Sequence, residues 1–148
     1  MIDRVSGNPG HYFGKLRDFV ESLGITLTTE MIPGGADGVS RGGSIILRPG
    51  LADPEAFSVL THEVAHEMLH RTPQRSDTTK KIRETEAEAV AFVVSKAVGL
   101  ETGSASSDYI QLYNGDRDTL ADSLTHIREC AARILDAIMP AESKPATS

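Results

Sequence analysis

The segment from Asp53 to His70 constrains this chain most, because it reads as one helix with its ends and faces already marked. Asp53 stands as the expected N-cap and Pro54 at the first helical position, where its missing N–H and fixed φ cost nothing. Pro73 prevents much extension beyond Leu69 or His70, since its ring clashes with a helical carbonyl. At about 100° per residue, Leu60, Val64, Phe57 and Met68 share an arc of about 80°. Ala65 and Leu69 continue the arc, and His62, His66, His70 and Glu63 line its flank. A helix so patterned seats one face in a core and turns the next toward a cleft. The alternative is a solvated helix whose histidines do nothing.

The flank carries His62-Glu63-Val64-Ala65-His66, a His-Glu-x-x-His pattern. Histidines four residues apart project from successive turns of one face, so both imidazoles reach one ion. A hydrolytic zinc site needs three protein ligands and an open position for water. The glutamate after the first histidine is placed to take that water's proton. Chance produces the pattern in about one shuffled chain of eighty at this composition, so the helical context has to support it. It does, and the reading is a Zn²⁺ site with His62 and His66 as ligands and Glu63 as base.

The third ligand must come from elsewhere. The metzincin variant requires a glycine and a histidine where this chain has Leu69 and Thr72, which excludes it. His70 lies one further turn along the same straight helix. Three such histidines do not converge on one ion with bonds of about 2 Å. His70 is therefore expected to orient a ligand, to line the substrate pocket, or simply to pack. The next helix, expected from about Thr79 to Val98 with Gly99 as C-cap, carries Glu84, Glu86 and Glu88. Glu84 and Glu88 share a stripe with Ala87, Ala91 and Ser95, whereas Glu86 falls nearly opposite Glu84. Glu84 is assigned as ligand and Glu88 as the acceptor that orients a histidine N–H. The reversed assignment and an ordinary charged helix start are the alternatives.

Around these helices the pattern is mixed. Tyr12, Phe13, Leu16, Phe19, Val20 and Leu23 recur at helical spacing before Gly24. Ile25 to Ile32 and Ser44 to Arg48 read as strands, and Val39 to Arg41 as a segment that can pair locally. A short helix is expected over Asp108 to Tyr113 and a turn at Asn114-Gly115. A closing helix runs from Arg117 to Met139, with Leu120, Leu124, Ile127, Ala131, Ile134, Leu135 and Ile138 on one face. One helix, a small sheet and further helices predict an α+β fold, with a small antiparallel or mixed sheet against the His-Glu-x-x-His helix. Residues 1–140 are expected to form one domain and residues 141–148 a disordered tail.

At this point His62-Glu63-Val64-Ala65-His66-Glu67-Met68-Leu69-His70, followed by Glu84-Thr85-Glu86-Ala87-Glu88-Ala89-Val90-Ala91-Phe92, resembles the ImmA/IrrE-type metallopeptidases. It is closer still to the zincin domain of ArdC-like antirestriction proteins. The similarity runs from about Gly34 to Ile138. It implies a zincin-like fold and a gluzincin site in which Glu84 completes the zinc sphere. Glu88 stands where ImmA/IrrE-type sequences commonly carry asparagine. ArdC-like proteins usually add an N-terminal single-stranded-DNA-binding domain for which this chain has no room, so it reads as a stand-alone relative or an excised domain.

The net charge of -6 argues against direct nucleic-acid binding, which needs a lysine and arginine surface. Lys80-Lys81-Ile82-Arg83 reads as a solvated helix start. The absence of His-x3-His-x5-His argues against a metal hydrolase of nucleic acids. No long apolar run or secretory leader is visible, and the single cysteine, Cys130, fits a reducing compartment. A cytoplasmic location without membrane contact is expected, with Cys130 as a small buried apolar group. His11 and His126 are expected to take no part in metal binding.

The resulting expectation is a zinc peptidase acting on a protein or peptide, on a specific partner such as a regulator. Its mechanism is attack of a metal-activated water on a peptide carbonyl, with His70, Tyr109 or Tyr113 as further donors to the oxyanion. The substrate is expected to add as a strand to Ser44–Arg48. The alternative is a non-proteolytic zinc-containing regulatory or binding module linked to antirestriction or mobile elements.

Overall fold

Phe13, Leu16 and Val20 recur three and four residues apart, which gives α1 (His11–Ser22) one buried stripe. The chain leaves that helix through Gly24, whose φ of 80° suits a residue without Cβ. It then enters β1 (Thr26–Thr29), followed by β2 (Gly38–Ser40) and β3 (Ser44–Leu47). The remaining elements are α2 (Asp53–Leu69), α3 (Lys80–Ala97) and α4 (Arg117–Ile138). This computed structural model describes residues 5–73, 78–102 and 117–140. The expected helix at Asp108–Tyr113, the turn at Asn114-Gly115 and the tail Ala141–Ser148 lie outside the described residues.

The fold is α+β, with four helices and a mixed three-stranded sheet among the described residues. The strand order is β1-β3-β2. β3 runs parallel to β1, with Thr26 opposite Ser44, and antiparallel to β2, with Val39 opposite Ile46. Ser44–Leu47 is therefore the central strand. The expectation that a substrate adds to it fails, because both of its edges are already paired.

Ile45 and Leu47 of β3 join Phe57, Leu60 and Val64 of α2 in one core with Leu16, Val20, Val90, Val94, Ile127, Ile134 and Ile138. Phe13 meets Phe57 edge-on at 6.0 Å between ring centres. The buried face of α4 is rotated from the expected one. Ser123 and Cys130 point inward, while Leu124 is 47% exposed. No described helix is long and apolar enough to cross a membrane.

Helix starts carry the local chemistry. Thr79 caps α3 by accepting from the Ile82 N–H at 3.1 Å. At α2 the cap is Ala52, not Asp53. The helix begins one residue earlier than expected, with Asp53 and Glu55 in its first turn at the positive end of the dipole.

Candidate metal centre

Helix α2 and the helix packed most extensively on it, α3, present the candidate ligands. His62, His66 and His70 sink progressively along α2, their side chains 20%, 13% and 4% exposed. Each step of four residues turns the side chain by about 40°, which carries the row from the more exposed side into the helix interface. Glu84, near the start of α3, reaches over the upper two. Its Oε1 lies 3.2 Å from His62 Nε2 and its Oε2 3.0 Å from His66 Nε2. Among the described residues, His62, His66 and Glu84 form a group arranged to hold a metal ion, with donor atoms within 4.8 Å of one another.

This donor set fits zinc. Ligand bonds of about 2.0–2.1 Å at tetrahedral angles hold donor atoms about 3.3 Å apart, close to the two histidine–glutamate separations. Burial, then the neighbouring His62, push His66 down to about 4, with His70 adding to the shift and Glu84 opposing it. His66 is consequently a neutral imidazole near pH 7, the form that ligates metals.

His70 takes a different partner. Its Nε2 lies 2.8 Å from Glu86 Oε1, and its Nδ1 lies 2.8 Å from His66 Nδ1. Glu86 is fully buried, and its Oε2 accepts from the Ser123 hydroxyl of α4. Glu88, expected to orient a histidine, is exposed. The correction lies in where the interface is centred. The buried residues of α3 are Glu86, Ala87, Val90, Ala91, Val94 and Ser95. Their arc is centred roughly midway between Glu84 and Glu86, which lie about 160° apart across it, so one carboxylate stands at each edge. Glu88 falls beyond the Glu84 edge. The missed signal was a carboxylate at 86 on an arc otherwise made of Val90, Val93 and Ala97.

Glu63 occupies the flank of α2 under β2 and is 8% exposed. Burial, reinforced by Glu84 and Glu67 and opposed by Arg71, raises its carboxyl from 4.5 to about 7. Gly38 makes room for it. A Cβ at that position would lie 2.6 Å from Val59 Cγ1 and 3.1 Å from Glu63 Cγ. The backbone of the edge strand therefore passes directly over the expected base.

Glu67 of α2 and Arg71, just beyond its end, fix that strand. Glu67 accepts from the Gly42 and Gly43 N–H groups, each at 2.8 Å, and from the Ser40 hydroxyl. Burial works to raise the Glu67 carboxyl, but the Gly43, Ser40 and Gly42 hydrogen bonds and Arg71 together hold it below its ordinary value. Arg71 Nη2 donates to the Ser40 carbonyl at 2.6 Å. Arg41 and Asp37 bond toward β3, so in the alternating antiparallel pattern Gly38 and Ser40 turn their backbone groups outward.

Among the other expected site residues, Tyr109 and Tyr113 lie outside the described residues. His126 contacts its own helix, with Nδ1 2.8 Å from the Asp122 carbonyl oxygen, and His11 stacks against Tyr12. Cys130 is buried 3.7 Å from the Met68 sulfur, and burial pushes its thiol up to about 12.

No protein-family model matches the chain, and no solved structure matches it. An uncharacterised protein of Bacillus anthracis is 30% identical over 97 residues. That match covers 64% of this chain but 16% of the relative, so the chain corresponds to a small part of that protein.

Proposed function

We propose that this chain is a zinc-dependent peptidase of the gluzincin type with a zincin-like fold, related to ImmA/IrrE-type and ArdC-like metallopeptidases. The observation that carries the reading is the approach of His62, His66 and Glu84 to within 4.8 Å of one another, donor atom to donor atom. His62 and His66 would hold zinc through Nε2 and Glu84 through its carboxylate. A zinc ion bound there acidifies water and polarises a carbonyl oxygen.

The chain's own residues supply the rest. Glu63, shielded under Gly38, accepts a proton from the attacking water and passes it to the departing amine. Its raised pKa suits this exchange, because a base poised near neutrality both takes and returns a proton. The peptide substrate lies along the outward edge of β2, where Gly38 presents its N–H and C=O above Glu63. This replaces the pairing expected at β3.

Metal analysis of the parent protein beside His62→Ala and Glu84→Ala tests the site. One zinc per chain in the parent, lost in both variants, is the expected result. Glu63→Gln retains the metal and loses cleavage of a quenched fluorescent peptide library. A parent that binds no zinc, or a Glu63→Gln variant that cleaves as well as the parent, would sink the proposal. Zinc binding without any cleavage would favour a non-proteolytic regulatory module.

A further inference from the structure

The geometry points to a positioning relay, His66–His70–Glu86–Ser123, that sets which nitrogen of His66 is free to bind a metal. The proposal rests on the zinc-site reading and assigns residues that act on a ligand without touching the ion. Four side chains from three helices form the line. His66 Nδ1 lies 2.8 Å from His70 Nδ1, and His70 Nε2 lies 2.8 Å from Glu86 Oε1. Glu86 Oε2 accepts from the Ser123 hydroxyl.

Such a line has a direction, because each contact within it, His66 Nδ1 to His70 Nδ1 and His70 Nε2 to Glu86, holds one proton, whereas the gap between His66 Nε2 and Glu84 is where the ion would sit. A carboxylate only accepts, so Glu86 takes the proton that His70 carries on Nε2. The neutral His70 ring then has a bare Nδ1, which accepts from His66 Nδ1–H. That leaves the lone pair of His66 on Nε2, the atom that faces Glu84 at 3.0 Å. In the opposite direction, with a protonated Glu86 donating, His66 would carry its proton on Nε2 and could not ligate there. Metal-ligating histidines are commonly held by an acceptor on the other ring nitrogen. Here the acceptor is a second histidine, itself oriented by a fully buried carboxylate. His62 and His66 share the motif, but the relay reaches His66 alone among the described contacts.

Ring-nitrogen NMR of the parent protein, free of metal and then loaded with zinc, reads the direction without any substitution. The expected spectrum has His66 protonated on Nδ1 and His70 on Nε2 in both states. A His70 proton on Nδ1 would overturn the relay. Zinc affinity, measured by competition with a chromophoric chelator, gives the second reading. His70→Leu removes the acceptor and should weaken zinc binding about 10–100-fold. His70→Gln, whose amide oxygen accepts and whose amide nitrogen donates, should recover most of that loss. A purely packing role predicts no such rescue, and equal affinities for the parent and His70→Leu would overturn the relay while leaving the zinc site standing. Failure of the parent to bind zinc would remove both.

Discussion

Replacing Glu63 with glutamine isolates the cost of keeping an ionisable base beneath the edge strand. In the folded protein the carboxyl titrates near 7 instead of 4.5, chiefly because it is buried. Between those values the folded chain holds a proton that the unfolded chain has released. Stability therefore falls as pH rises through the window, and the loss is complete above about pH 7. At about 1.4 kcal/mol per pH unit, the ceiling is about 3 kcal/mol, and screening by nearby water reduces it. Glutamine keeps the shape and removes the charge. Urea denaturation of parent and variant in the presence of a chelator, at pH 5 and pH 8, measures the difference directly. The variant's advantage should grow by about 2 kcal/mol between the two, while contributions from His66 and other groups largely cancel in the comparison. Parallel stability profiles would show that Glu63 is not a perturbed carboxyl and would refute the reasoning.

Two substitutions test the ground around it. Gly38→Ala places a Cβ 2.6 Å from Val59 Cγ1, so either β2 or the Val59 side chain must shift. Unfolding measurements should show a loss of about 1–3 kcal/mol, and a variant as stable as the parent would disprove the close approach. Glu67→Ala removes the acceptor for Gly42 and Gly43 N–H, so those amides should exchange with solvent faster than their neighbours in β3. Stability should fall by about 1.5–3 kcal/mol, the range for hydrogen bonds to a charged group.

Much of this was legible from periodicity. Apolar spacing located α1 to within a residue or two, and Gly24 marked its end. Pro73 and the spacing of Phe57, Leu60 and Val64 gave α2 its extent and buried face. The motif itself told which side chains could share an ion, because helical spacing alone puts His62 and His66 together. The failures share one cause. Which edge of an arc faces a neighbour depends on how the helices cross, and that is a tertiary property. So the spacing favours Glu88 over Glu86 and places Leu124 inside, where Ser123 belongs. The expected substrate pairing at Ser44–Arg48 fails similarly: that strand precedes α2 in the chain, yet β1 and β2 occupy its two edges, a choice made by pairing rather than by sequence proximity. The spacing says nothing of Gly38, since the side chains it must clear arrive from another element.

The guanidinium of Arg71 on the Ser40 carbonyl has a consequence for self-association. An open sheet border invites a second copy of the chain to extend it, and repeated extension leads to fibres. Here the border is three residues long and its final acceptor is already taken from within. A short visiting segment can align in one register, but the border offers too little length to template polymer growth.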